Sequence, residues 1–409
     1  MISLTFVVAT GVRLIIISFG LRPQTCLPGY LRAHYIKPFR HLHIADSASF
    51  SSLETSNLGA FRQRETLRIQ LDTSMRHKVT LIPGEGIGPE VAAATRAILE
   101  AAGVKIDWEE VQARSETASD TGQFVTESAV ESVRRNRVAL KGPMGTAIAG
   151  GAPSVNVALR KTLDLYANVR PVKNIPGVKS RFEDVDVLLI RENTEDLYSG
   201  LEHEVVPGVV ESLKIITEKA STQIAHFAFK HARRQGRKKI HAIHKANIMK
   251  LSDGLFLKSI RNVAPQYSEI EYKELIVDNA CMQMVLNPQQ FDMLLLPNLY
   301  GDVMSDLAAG LVGGLGVVGS ANIGDEAAMF EAVHGTAPDI AGKGLANPTA
   351  LILSSIMMLD HLGETSASRR IRSALESVHR ERKHVTKDVG GQAGTAEFTE
   401  AVISALRPG

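Results

Sequence analysis

Apolar residues recur along this chain in two spacings, and the two alternate. Val79–Ile82 is a short uninterrupted run that stops at Pro83-Gly84, whereas Glu90 to Ala102 repeats its apolar positions every three or four residues and closes at Gly103. The first pattern predicts a strand and the second a helix. Val185–Ile190 and Met293–Leu296 are continuous apolar runs, as expected of strands covered on both faces. Ile240–Ile243 predicts another short strand, and Ile215–Arg233 a long amphipathic helix. Such alternation predicts an α/β architecture. Gly- and Pro-rich stretches at 142–153 and 310–324 read as connectors, and no internal repeat is visible.

Residues 1–74 break the pattern. An apolar stretch from Ile2 to Gly20 is interrupted by Arg13, then Pro, His and Arg follow without period, then a Ser-rich patch from Ser47 to Ser56. A charge at mid-stretch argues against a membrane span. The segment carries eight Lys/Arg against four Asp/Glu, and its first 45 residues hold no acid. That composition suits an organelle transit peptide. An upstream extension of a chain starting at Met75 is the alternative, and it is slightly favoured. Either way the segment is expected to be disordered and to carry no chemistry.

Composition narrows the class. The 409 residues are too many for one small core and suit two domains. Hydrophobic residues at 44% and charged residues at 22% are ordinary for a globular protein. A net charge of +2 and a single tryptophan, Trp108, argue against nucleic acid as a partner. Cys26 and Cys281 are the only cysteines, so neither a disulfide framework nor a cysteine metal site is available.

Several motifs carry candidate chemistry. Gly84-Glu85-Gly86-Ile87-Gly88 follows a strand and opens a helix, but its spacing is not that of a dinucleotide fingerprint and Pro89 follows at once. A tight turn for close approach of strand and helix is the favoured reading. Arg160 in Ser154-Val155-Asn156-Val157-Ala158-Leu159-Arg160, Arg170, and Arg191 at the end of an apolar strand are planar forks suited to carboxylates. Ordinary ion pairs would explain any one of them, Arg191 least easily. Asp302 and Asp306 in NLYGDVMSD stand four apart, on one face if the segment is helical, and can chelate a hard cation. Asp278 could complete the set. Oxygen-only ligands favour Mg²⁺ or Mn²⁺. Lys245 in HKAN is a candidate base and Tyr198 in RENTEDLYSG a candidate proton donor. His334-Gly335-Thr336-Ala337-Pro338-Asp339-Ile340, with Asn347 beyond it, reads as a shaped loop whose acid could bind an adenosine ribose.

Taken together, SVNVALR, RENTED, HKANIM, NLYGDVMSD and HGTAPDIAG resemble the β-decarboxylating dehydrogenases that act on isocitrate, 3-isopropylmalate, homoisocitrate and tartrate. The resemblance runs from Lys78 to Leu406. It implies the isocitrate/isopropylmalate dehydrogenase-like α/β fold: a discontinuous large domain of residues 75–172 and 313–409, a small dimerisation domain of residues 173–312 between them, and an active site in the cleft shared across a homodimer or higher homo-oligomer. By the same resemblance, Ser154, Asn156, Arg160, Arg170 and Arg191 hold the substrate carboxylates, and Asp278, Asp302 and Asp306 hold the metal. Lys245 takes the hydroxyl proton and Tyr198 protonates the enolate carbon. Lys245 and Asp278 reach into the partner's site. Thr146 lies near the nicotinamide, and His334, Gly335, Thr336, Ala337, Asp339, Ile340 and Asn347 hold the adenosine. Asp339-Ile340 resembles NAD users, since NADP-using bacterial members tend to place Lys-Tyr there.

The implied reaction is oxidative decarboxylation of isocitrate to 2-oxoglutarate and CO₂ with reduction of NAD. Ser154 and Asn156 resemble isocitrate enzymes, where isopropylmalate enzymes place an apolar residue. RENTED rather than RENTEG keeps homoisocitrate open. Glu85 in place of an aspartate and Gly145-Thr146-Ala147 in place of Thr-Thr-Pro depart from the family's pattern, and the second is expected to loosen nicotinamide positioning. A non-catalytic regulatory subunit of a heteromeric enzyme is the rival reading, against which stands the presence of every metal, acid and base residue. The expected address is the cytoplasm of a bacterium, or the mitochondrial matrix if residues 1–74 are a transit peptide.

Overall fold

The computed structural model describes residues 3–10, 13–20, 76–114, 125–148 and 153–406. The chain divides into two units, Met1–Gln70 and Leu71–Gly409. In the first, β1 (Ser3–Thr10) and β2 (Arg13–Gly20) pair antiparallel, with Thr10 opposite Arg13. The runs Phe6-Val7-Val8 and Ile15-Ile16-Ile17 are rich in β-branched residues, which favour strands. Arg13 therefore opens the second strand of a hairpin instead of interrupting one apolar span. The Ser-rich patch, and the disorder expected of the rest of the extension, lie outside the described residues.

The second unit is an α/β protein built on one ten-stranded sheet. It begins with β3 (His77–Ile82), α1 (Gly88–Ala101), β4 (Ile106–Glu110), α2 (Glu127–Asn136), β5 (Val138–Lys141), α3 (Val155–Thr162), β6 (Ala167–Lys173) and β7 (Asp186–Glu192). An exposed hairpin of β8 (Glu202–Val206) and β9 (Val209–Ser212) follows, then α4 (Glu218–Gln235), β10 (Lys239–His244), α5 (Ser252–Val263), β11 (Glu271–Ile276) and α6 (Val277–Leu286). The chain ends with β12 (Met293–Leu296), α7 (Asn298–Val312), β13 (Gly319–Ile323), β14 (Ala328–Ala332), α8 (Thr349–Leu362), α9 (Thr365–Glu381) and α10 (Thr395–Ala405). The strand order is β11-β10-β12-β7-β6-β13-β14-β5-β3-β4.

Two parallel wings meet at an antiparallel centre. One wing, β11-β10-β12-β7, comes from residues 186–296, and the other, β14-β5-β3-β4, comes from both earlier and later segments. Strands β7, β6, β13 and β14 run antiparallel to their neighbours in turn and join the wings. Met293–Leu296 is buried throughout, as its unbroken apolar run requires. Helices α1, α8, α9 and α10 pack on one another beside one wing, and α7 packs on β6 and β7.

Two expectations need adjusting. The long helix starts at Glu218, because Thr217 caps it by accepting the Ala220 N–H at 3.1 Å, while Ile215 bridges to Asp196 as extended chain. The stretch 310–324 is not all connector: α7 runs to Val312 and Gly319–Ile323 is a strand. Gly319 lies in that strand because a Cβ there would stand 2.8 Å from the Ser354 backbone nitrogen of α8. Among the described residues no helix is long and apolar enough to cross a membrane.

Candidate active site

Strand β7 ends in Arg191, buried beneath the first turn of α7. Its Nη1 meets Asp302 at 2.5 Å, and its Nε and Nη2 donate to Asn298 Oδ1 at 3.1 and 2.7 Å. Gly301 makes this approach possible, since any Cβ at that position would overlap the arginine side chain. Arg170, on the adjacent strand β6, is equally buried. It donates to Ser305, lies 3.4 Å from Asp306 and reaches 3.7 Å from Asp302. The helical reading of NLYGDVMSD holds, and Asp302 and Asp306 both turn toward Arg170.

Arg160 enters from the last turn of α3 and donates to Glu331 Oε1 at 2.8 Å. Lys141 meets the other Glu331 oxygen at 2.6 Å, and Asn322 donates to Oε1 at 2.7 Å. Glu331 and Lys141 belong to this charge cluster, and sequence reading passed over both. An acid and a lysine inside apolar strands were the available signal, since such residues are almost never buried unless paired. Burial would push the Glu331 carboxyl up, but Lys141 and Arg160 hold it far below the usual carboxylate range. Burial, followed by the charges of Arg191 and Arg160, brings Arg170 down to about 10, so it remains cationic at neutral pH. Nε of Arg160 and Nε of Arg170 are buried without a partner. Mutually repelling guanidinium groups with unpaired donors favour a neighbouring anion.

Tyr198 sits in a single 3₁₀ turn, Leu197–Ser199, and its hydroxyl donates to Asp302. The Arg191 guanidinium lies 5.0 Å from its ring centroid. Burial, and then the bond to Asp302, raise the Tyr198 pKa, so the phenol keeps its proton at neutral pH. Burial also pushes Asp302 upward, but Arg191, Tyr198 and Arg170 outweigh it and keep Asp302 ionised. Asp306 is raised by burial and by Asp302, only partly offset by Arg170. Two carboxylates that disfavour each other's charge fit a shared hard cation.

Ser154 caps α3, and its Oγ lies 3.0 Å from Thr146 Oγ1. Asn156 donates to the Met144 carbonyl at 3.5 Å and leaves its own Oδ1 buried without a partner. The glycine turn explains how this loop meets the one at 334–347. Gly84 and Gly86 have positive φ, and a Cβ on either would strike the backbone of Pro143 or Thr336. Ile87 N–H donates to the Thr336 carbonyl at 2.9 Å and Glu85 N–H to that of Pro143 at 2.7 Å. The turn is thus a close joint, as its spacing suggested. Glu85 accepts the Gly145 N–H at 2.9 Å and is clamped by Arg114, a residue without a sequence signal.

His334 lies beside Gly335, with its Nδ1 3.0 Å from the Gly335 carbonyl and its Nε2 buried and open. Ala337 takes φ +40 in the turn, Asp339 is exposed, Ile340 is half-buried, and Asn347 donates to Asp388 at 2.8 Å. Lys245 and Asp278 stand apart from Asp302. They pair with each other at 2.5 Å, the aspartate in the first turn of α6. Among the described residues no group of three or more His, Cys, Asp and Glu side chains is placed to hold a metal ion. Within one chain, then, Asp278 does not complete the Asp302–Asp306 pair, because α6 and α7 present their acids separately.

Residues 78–402 match the family described as isocitrate/isopropylmalate dehydrogenase. The chain belongs to the isocitrate/isopropylmalate dehydrogenase family. It is 56% identical over 328 residues to the mitochondrial NAD isocitrate dehydrogenase catalytic subunit 5 of Arabidopsis thaliana, covering 80% of this chain and 88% of the relative. It is 52% identical over 335 residues to a mitochondrial NAD isocitrate dehydrogenase regulatory subunit of Dictyostelium discoideum, covering 82% and 93%. The crystal structure of isocitrate dehydrogenase from Methylococcus capsulatus superposes with a TM-score of 0.78 at 47% identity, over 81% of this chain and all of that one. In this chain Arg170 on β6, Arg191 on β7 and the Asp302 helix lie where one parallel wing meets the antiparallel centre of the sheet.

Proposed function

We propose that this chain is a catalytic subunit that oxidises isocitrate with NAD and decarboxylates it to 2-oxoglutarate. The observation that carries the reading is the Tyr198–Asp302–Arg191 contact, set beside the clustered guanidinium groups of Arg160 and Arg170 with their unpaired Nε donors. A substrate with three carboxylates can engage Arg160, Arg170 and Arg191 at one end and Ser154 and Asn156 at the other. Each charge-assisted hydrogen bond contributes ~1.5–3 kcal/mol. NAD would lie along residues 334–347 with Asp339 toward the ribose and Thr146 toward the nicotinamide.

Asp302 and Asp306, with Asp278 of a second subunit, would hold Mg²⁺ or Mn²⁺, which supplies Lewis acidity for the hydroxyl and the developing enolate. Lys245 of the second subunit would help take the hydroxyl proton, and NAD held along residues 334–347 would supply the acceptor for the C2 hydride. Loss of CO₂ from the resulting β-keto acid leaves an enolate, and the phenol of Tyr198 gives C3 its proton. The balance is isocitrate and NAD⁺ to 2-oxoglutarate, CO₂ and NADH.

Exposed apolar residues support the second subunit. Ile248 and Leu251 follow Lys245 and are 69% and 90% exposed, and Met282 and Leu286 on the Asp278 helix are 53% and 70% exposed. Another copy of this chain, or a related protomer, would cover them. The relatives' mitochondrial names and the acid-free start of the chain support the mitochondrial matrix.

The test is a panel of isocitrate, homoisocitrate, 3-isopropylmalate and tartrate with NAD and NADP, in Mn²⁺, on the purified chain and its assembly state. NADH formation from isocitrate alone is expected. No NADH from any substrate would favour the regulatory reading, which the Dictyostelium relative's name keeps in view.

A further inference from the structure

The turn that carries Tyr198 contains a residue its proton chemistry does not require. Asp196 is fully buried at φ 69, ψ −149, a backbone conformation that only glycine enters without strain. Its carboxylate has two backbone partners: Oδ1 accepts the Leu197 N–H at 2.8 Å, and Oδ2 accepts the Leu299 N–H at 2.9 Å. The second bond matters because α7 opens after Pro297 with no capping side chain of its own. Asp196 supplies that cap from another segment. Lys214 Nζ lies 3.3 Å from Asp196, 3.0 Å from the equally buried Asp253 and 4.4 Å from the ring centroid of Tyr300 on α7. Asp253 in turn accepts the Lys245 N–H at 2.6 Å. One buried bridge therefore touches the Tyr198 turn, the first turn of the Asp302 helix and the Lys245 turn.

We infer that Asp196 is a positioning residue that clamps the Tyr198 turn to the start of the Asp302 helix, with Lys214 as the counter-ion that ties the clamp to the Lys245 turn. The inference rests on the catalytic reading of Tyr198. The strained backbone persists because its surroundings over-determine it: the Asp196 N–H donates to Ile215 at 2.8 Å and its carbonyl accepts the Ser199 N–H at 3.2 Å. Glycine would reach the same conformation freely and lose the clamp.

Asp196→Gly, Lys214→Met and Lys214→Arg in the full chain test this by amide hydrogen exchange and by steady-state kinetics with isocitrate, NAD and Mn²⁺. Asp196→Gly is expected to speed exchange at 197–200 and at 298–302 together by about tenfold or more, leaving β12 and α8 protected. It is also expected to lower kcat by about tenfold or more while the KM for isocitrate stays within about twofold. Lys214→Met should loosen 245–249 as well, and Lys214→Arg should restore both readouts. Unchanged protection at 197–200 and 298–302, or a change in melting temperature with kcat intact, would overturn the clamp. If the parent chain forms no NADH, the catalytic reading fails, and hydrogen exchange still decides whether the clamp exists.

Discussion

Arg191–Asp302 and Lys245–Asp278 are both ion pairs of 2.5 Å, set in opposite surroundings. The Arg191 side chain is 2% exposed and its partner 39%, the latter held by Tyr198 and Arg170 as well, whereas Lys245 is 28% exposed. Asp278 is 67% exposed, on a rim bordered by bare apolar side chains. Arg191 is the buried member, so removing Asp302 would leave a buried charge short of its carboxylate, which is costly, while the half-exposed Asp302 is partly screened by solvent. An exposed pair contributes only ~0–1 kcal/mol and exchanges partners readily. On the proposed reading, the first pair is one half of a site and the second is the half offered to another subunit.

The sharpest way to break that comparison is to disable each half separately. Tyr198→Phe and Lys245→Met should each lower kcat by roughly 10²–10⁴. Mixed and reassembled, the two inactive proteins should regain activity, because one site of a mixed dimer keeps both groups. Absence of recovery in an assembled mixture would put both residues in one chain's own site. Arg160→Ala comes next: KM for isocitrate should rise about 10- to 100-fold, the loss of one charge-assisted hydrogen bond. Lys141 and Asn322 remain to hold Glu331, so NAD affinity should hardly move, while the melting temperature falls with the loss of one partner of this buried pair. An equal loss for both ligands would count against the assignment.

Substitutions on the exposed rim should retune without unfolding. Asp339→Lys with Ile340→Tyr is expected to shift kcat/KM from NAD toward NADP, and an unchanged ratio would remove Asp339 from the ribose. The smallest effect concerns Glu195, beside the buried half. Burial, with Glu192 and Asp196 nearby, raises it to about 7. Its folded value lies above its unfolded one, so stability is fully present below about pH 4.5 and falls as pH rises through about 7. Glu195→Gln should flatten the decline in melting temperature between pH 5 and about 8, and an unaltered slope would assign it elsewhere.

Periodicity and punctuation alone made the strand 293–296, the helix 90–102 and the α/β class legible, because an unbroken apolar run and a three-four spacing have few other solutions. The spacing of Asp302 and Asp306 likewise became meaningful as soon as the segment proved helical. What stayed hidden depends on distant segments. Glu331 and Lys141 look like isolated charges until β14 and β5 lie side by side. Nothing near Arg114 in the sequence announces Glu85. Gly319 reads as connector because the helix that presses on it is encoded more than thirty residues later. Asp278 is a different case: in this chain it pairs with Lys245 and not with Asp302 and Asp306, and its spacing in the sequence could not say so.

The joint at Gly84 and Gly86 closes through backbone contacts and hydrogen bonds to Pro143 and Thr336, with the Glu85 side chain adding a bond to the Gly145 N–H, so a Cβ at either glycine would break it. That gives it an evolutionary consequence. The segments at 142–146 and 334–347 are fastened by backbone geometry, while Asp339 lies exposed beyond the joint. If Asp339 meets the cofactor as proposed, cofactor preference can change by point mutation at positions 339 and 340 without disturbing that joint.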